Sequence, residues 1–201
     1  MFELATRFAD PFVYEAGASR EDKLKKTQLL FHELTQVALW ANCTDLSLLI
    51  NMTEEDIQRL QSTGGEHLAS TEKNILGSDL PQLWQRMSGV RNGSISIVLD
   101  NAGFELYCDF IYADWLIQSG IASEIRFHGK RIPWFVSDVT TADFNWLINS
   151  MCYGSLFPDA SESELAALRQ LGVRWQGYVK ENKWIYEQVR SGSDQCDLAC
   201  S

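Results

Sequence analysis

The run FELYCDFIYADWLIQSG, residues 104–120, is apolar nearly all the way round a helical wheel. Such a helix is buried on more than one side, so the chain must build layers around it. Immediately before it, SISIVLD (94–100) alternates at Ile95, Ile97 and Leu99 and is β-branched, which reads as a strand. Because Val98 is apolar too, the expectation is a buried strand. EIRFHG (124–129) and IPWFVSD (132–138) follow as two further short strands. TTADFNWLINSM (140–151) closes the stretch as a helix, with Thr140 and Asp143 in capping-box spacing. The order strand, helix, strand, strand, helix predicts an α/β sheet with at least partly parallel strands.

The flanks are different in character. EDKLKKTQLLFHELTQVALWA (21–41) is an amphipathic helix with Leu30, Leu34, Val37, Ala38 and Ala41 on one face. A second short helix is expected from Thr53, where TEED approximates a capping box, to Gly64-Gly65. DLPQLWQRMSGV (79–90) reads as a third, with Asp79 as N-cap, and loops fall at 10–20, 43–52 and 64–78. Toward the other end, SESELAALRQLGVRW (161–175) fits one more helix. After Tyr186 the composition turns polar, and SGSDQCDLACS has no periodicity and reads as a frayed tail. All seven tryptophans are expected in the core, and Trp40, Trp84, Trp115 and Trp146 sit in helical patterns.

Composition narrows the function classes. Lys plus Arg total 17 against 27 Asp plus Glu in 201 residues, a formal charge of −10. An acidic chain without a basic stripe is a poor nucleic-acid binder, because phosphate neutralisation needs clustered cations. No stretch approaches the ~20 apolar residues of a membrane span. The opening MFELATRFAD has acids where a secretory leader needs a basic region, so no export signal is expected. Cys43, Cys108, Cys152, Cys196 and Cys200, with the isolated His32, His67 and His128, give no zinc-ligand spacing. Reduced thiols in a cytoplasmic protein, or one also nuclear, are the expectation.

The chemistry gathers at strand ends. Asp100 stands at the carboxyl end of the first strand and Asp138 at the carboxyl end of IPWFVSD. In open α/β sheets ligands bind in the crevice beyond those ends. Either aspartate alone reads first as a helix N-cap. Both together, with the neutral oxygen donor Asn101 beside one of them, make an oxygen-only set that suits a divalent cation. Ala102, Gly103 and Phe104 would form the first turn of the apolar helix, whose free N–H groups and positive end suit an anion such as phosphate. Glu105 in the same turn either faces the crevice or compensates the helix dipole. Asp109 and Asp114 are expected as surface or capping partners, RFHGKR (126–131) as a polar turn between strands, and Cys108 as a small buried hydrophobe. No separate general base is visible, and DNA at 100–102 is not an Asp-x-Asp nucleophile motif.

IVLDNAGFELYCDFIYADWLI, followed by EIRFHGKRIPWFVSDVTTADFNWLI, resembles the metal-dependent damage-control phosphatase family. The likeness is to its eukaryotic sugar-phosphate branch, which includes an acidic-residue methyltransferase. LFHELTQVALWANCTDLSLL (30–49) resembles a helical segment of the same branch. The resemblance implies an α/β fold: a helical N-terminal part followed by a partial Rossmann-like αβα sheet. Residues 1–93 would be the mainly helical part, 94–153 the metal-site core and 154–201 a helical segment with an irregular tail, together a fragment of one larger family domain. It also implies metal ligation by Asp100, Asn101 and Asp138, substrate contacts from these three and Glu105, and catalytic roles for Asp100 and Asp138. The implied activity is hydrolysis of small phosphorylated metabolites, such as fructose 1-phosphate and fructose 6-phosphate, supported by Mn²⁺, Ni²⁺, Co²⁺ or Mg²⁺. Branch members continue past the equivalent of residue 190 into further strands, where a segment like FKGDLNYRKL brings a phosphate-binding lysine; this sequence has no such segment. Two alternatives stay open: protein-glutamate O-methyl transfer, although VLDNAGFE has one glycine and QSTGGEH follows no strand, and a truncated, non-catalytic metal-binding paralogue.

Overall fold

The computed structural model describes residues 1–12, 19–42, 75–154 and 157–188. Within them the chain forms α1 (Phe2–Phe8), α2 (Arg20–Ala41), α3 (Leu80–Met87), β1 (Gly93–Val98), α4 (Phe104–Gln118), β2 (Ala122–Gly129), α5 (Thr141–Tyr153), α6 (Glu162–Lys180) and β3 (Trp184–Gln188). The helix predicted from Thr53, most of the loops expected at 43–52 and 64–78, His67, Cys43, Cys196, Cys200 and the polar tail lie outside the described residues. The expected α/β class, with a helical N-terminal part, is what the chain adopts. No described helix is long and apolar enough to cross a membrane.

The strands form one sheet in the order β1-β2-β3, parallel at both junctions. Register pairs Ile95 with Ile125, Ile97 with Phe127, Ile125 with Trp184 and Phe127 with Tyr186. These apolar side chains therefore share one face, because partners in register point to the same side. Helices α4, α5 and α6 cover that face through aromatic contacts. Phe110 of α4 meets Phe127 edge-on at 5.3 Å, Phe144 of α5 meets it at 5.3 Å, and Trp175 of α6 stacks on Trp184 at 5.7 Å. The opposite face carries a polar network: Ser94 Oγ donates to Glu124 (2.9 Å), and Arg126 bridges Glu124 (2.7 Å) and Glu187 (2.5 Å).

Three expectations about the sheet are corrected. β1 is an edge strand, with Val98 77% exposed, since one apolar residue on the polar face cannot bring a covering layer with it. IPWFVSD is not a strand: its backbone curls around the Asp138 carboxylate, leaving Ile132, Trp134, Phe135 and Val136 exposed. The third strand is β3 instead, five residues just after α6, and Asn182 at φ +55° makes the turn between them.

The helices interlock behind the sheet. Helix α2 packs on α4 and α3, with Phe31 against Trp115 of α4 (6.0 Å) and Trp84 of α3 (5.2 Å). Trp146 and Trp134 depart from the expectation of core tryptophans, being 56% and 82% exposed. Where α5 and α6 cross, a Cβ on Gly172 would lie 2.6 Å from the Cys152 backbone nitrogen, so the close approach excludes a side chain there. Asp114, expected at the surface, is buried: Arg174 of α6 grips it through Nε (2.9 Å) and Nη2 (2.5 Å), and Tyr178 adds a hydroxyl at 3.1 Å. Arg174 also donates to the Ala9 carbonyl at 2.8 Å, tying α1 to the same knot. Removing the guanidinium strands a buried carboxylate, so Arg174→Ala is expected to lower stability by about 3–5 kcal/mol in urea denaturation at neutral pH.

Candidate metal centre

The site begins where the β1–β2 ladder ends. Leu99 N–H still donates to His128 O (3.0 Å), after which the chain pairs with a different partner. Val139 N–H donates to Asp100 O (2.9 Å), Ala102 N–H donates to Ser137 O (2.7 Å), and Asn101 forms an antiparallel bridge with Asp138. This short zipper joins the turn that starts α4 to the turn that starts α5. It brings together the three residues that the sequence nominated as metal ligands. Asp138 reaches the site from a curled loop rather than from a strand end.

Each side chain is held for a local reason. Asp138 is 3% exposed, and its Oδ2 accepts the N–H groups of Trp134 (2.5 Å) and Phe135 (2.9 Å). Burial alone would raise its pKa, but these bonds and the Lys130 ammonium hold the carboxyl below its usual value. Asn101 is buried, and its amide nitrogen donates to Glu105 Oε2 at 2.8 Å. Asp100 is half exposed, and its Oδ2 accepts from Asn42 at 3.2 Å. Glu105 is 6% exposed and takes further bonds from Asn42. Burial pushes its carboxyl up; the two asparagines partly offset that and the Asp100 charge reinforces it. Glu105 thus stands beside Asp100 in a shared network with Asn42 and Asn101.

The phosphate cradle needs one correction. Ala102 is not in the first turn and its N–H is already paired with Ser137. The helix starts at Phe104, with Gly103 as N-cap at φ +78°, a conformation that favours glycine, and no side chain caps the end. The N–H groups of the first turn therefore have no intrahelical acceptor. On α5 the predicted capping box is present, Thr140 accepting from Asp143 N–H and Asp143 from Thr140 N–H.

Two residues escaped the sequence reading. Lys130, taken as part of a polar turn, sends Nζ to Asp138 Oδ1 (2.6 Å) and Asp100 Oδ1 (3.5 Å). Its signal was positional: it is the first residue past β2, at the same sheet edge as Asp100. Asn42, just past α2, bonds both Asp100 and Glu105, and nothing local in the sequence announces it. Among the described residues no three His, Cys, Asp or Glu side chains converge as a metal cage. The set is instead two carboxylates that share one protein ammonium, with the Asn101 amide beside them, and oxygen donors of this kind suit a hard divalent ion.

Fold and residue set together define a class: an α/β protein with two aspartates, an asparagine and a lysine gathered beyond the carboxyl edge of a parallel sheet. The chain belongs to the damage-control phosphatase ARMT1-like domain family, whose pattern it matches over residues 8–199. It is similar to the damage-control phosphatase ARMT1 of Danio rerio, 41% identical over 165 residues that cover 78% of this chain and 34% of that protein. The Rattus norvegicus relative is 38% identical over 168 residues, covering 81% and 35%. The Homo sapiens relative is 36% identical over 163 residues, covering 78% and 34%. The chain thus spans about a third of the length of the curated relatives it matches.

One turn beyond Glu105, Asp109 is half-buried rather than a surface cap, and burial followed by the Glu105 charge raises its pKa to about 8. An acid raised in the folded state binds more protons folded than unfolded between its two pKa values, so it lowers stability as pH climbs through that window. Asp109→Asn is expected to raise the melting temperature of the metal-free chain at pH 8 and to leave it nearly unchanged at pH 4. Melting curves at both values check this.

Proposed function

We propose that this chain carries the metal-binding core of a phosphomonoester hydrolase acting on small sugar phosphates, such as fructose 1-phosphate and fructose 6-phosphate, as damage control of phosphometabolites. The observation that supports it most is the zipper, which gathers Asp100, Asn101 and Asp138 beside one ammonium at the carboxyl edge of a parallel sheet. Asp100 and Asp138 carboxylate oxygens and Asn101 Oδ1 would hold Mn²⁺ or Ni²⁺, with Co²⁺ or Mg²⁺ as further candidates. Such an ion, when bound, supplies charge stabilisation for a phosphoryl group and a lowered pKa for water.

The chain's own groups do the positioning. Asp138 is fixed by two backbone donors, so its remaining oxygen has one direction. Asn101 is oriented by Glu105, whose carboxyl oxygens accept from Asn101 and Asn42. The unpaired N–H groups that open α4, with no Cβ at Gly103, give phosphate oxygens a set of donors and the positive helix end. Asp100, the more exposed of the two carboxylates, is the one that would orient a water molecule.

The test is phosphate release from fructose 1-phosphate by the purified 201-residue chain with and without Mn²⁺, beside Asp100→Ala and Asp138→Ala. Metal-dependent release that falls by about 100-fold or more in either variant is the expected result. Near-normal rates in both variants overturn the metal assignment. No release by the unaltered chain moves the reading to metal binding without turnover.

A further inference from the structure

Lys130 stands where the metal reading needs a cation. Its Nζ lies 2.6 Å from Asp138 Oδ1 and 3.5 Å from Asp100 Oδ1, so one ammonium touches both carboxylates. Asp138 has its other oxygen committed to Trp134 and Phe135, which leaves Oδ1 as the atom available to any cation. Two like charges held this close by a backbone zipper need a counter-ion, and among the described residues Lys130 is the cation bonded to them. A divalent ion drawing on the same oxygens would compete with the ammonium for them, because two cations held against the same pair of carboxylates repel each other. The lysine can yield: its side chain is 39% exposed and stands on a flexible four-carbon stem.

We propose that Lys130 is a built-in competitor for the metal, neutralising Asp100 and Asp138 in the metal-free chain and setting the affinity of the site by having to leave when a divalent ion arrives. The proposal rests on the metal reading above and adds a role to a residue outside its ligand set. A lysine that merely organised the carboxylates would strengthen metal binding by its presence. A competitor weakens it, and the sign separates the two.

The experiment is a calorimetric Mn²⁺ titration of the full chain and of Lys130→Met, Lys130→Gln, Lys130→Arg and Asp100→Asn, each checked for folding by circular dichroism. Lys130→Met and Lys130→Gln are expected to bind Mn²⁺ about tenfold to a hundredfold more tightly, the range spanned by hydrogen bonds to charged groups. Lys130→Arg, which keeps the charge, is expected to stay near the unaltered chain, and Asp100→Asn to bind more weakly. If Asp100→Asn weakens binding while both neutral Lys130 variants bind no tighter than the unaltered chain, the competitor role is overturned and the metal site stands. If neither the unaltered chain nor the Lys130 variants bind Mn²⁺, or Asp100→Asn leaves binding unchanged, the metal site itself is overturned and the competitor role with it.

Discussion

Two carboxylates stay within reach of a single ammonium only if their backbones are tied together by something that does not depend on charge, and here the tie is the zipper from Asp100–Val139 to Ala102–Ser137. Its bonds are neutral and peptide to peptide, so they persist whichever cation is present. The two strands of the zipper also lead directly into helices, through Gly103 into α4 and through Thr140 into α5. Both helix N-termini therefore sit at the site, and their positive ends offset the negative charge that the zipper concentrates. The site and the helix starts are one construction.

The aromatic layer keeps that construction rigid. Phe110, Phe127, Phe144, Trp175 and Trp184 form a continuous set of edge-on, tilted and stacked contacts between α4, α5, α6 and the sheet. If α4 and α5 could slide past each other, Asp100 and Asp138 would separate with them. The Asp114–Arg174 pair fixes α4 to α6 from the other end, and Arg174 carries the tie on to α1. Burial without such partners would make Asp114 a liability, since an unpaired buried carboxylate is strongly destabilising.

The helical N-terminal part takes a direct share in the site. Asn42, at the end of α2, donates to Asp100 and Glu105, so the seating of α2 on α4 shapes the electrostatics of the carboxylates. Lys130 enters from β2 and Asn101 from the β1 turn. No single local motif holds the set, and the helical part and the sheet each contribute to it.

The sequence by itself determined the local pieces: the all-round apolar helix now seen as α4, the β-branched alternation of β1, the Thr140–Asp143 capping box and the Asp100-Asn101 pair at a strand end. Each follows from periodicity or from bonds within one turn of chain, which residue order records directly. The tertiary structure decided the rest. β3 exists because Trp184 and Tyr186 find Ile125 and Phe127 in register, and a five-residue run has no periodicity long enough to announce that. IPWFVSD has strand-like composition, yet Asp138 at its end collects the N–H groups of Trp134 and Phe135 and curls it, so that among the described residues the sheet is β1, β2 and β3. Lys130 and Asn42 meet the carboxylates only once strand register and helix packing have set distances between residues far apart in the chain, and those distances, not the residue types alone, make the site.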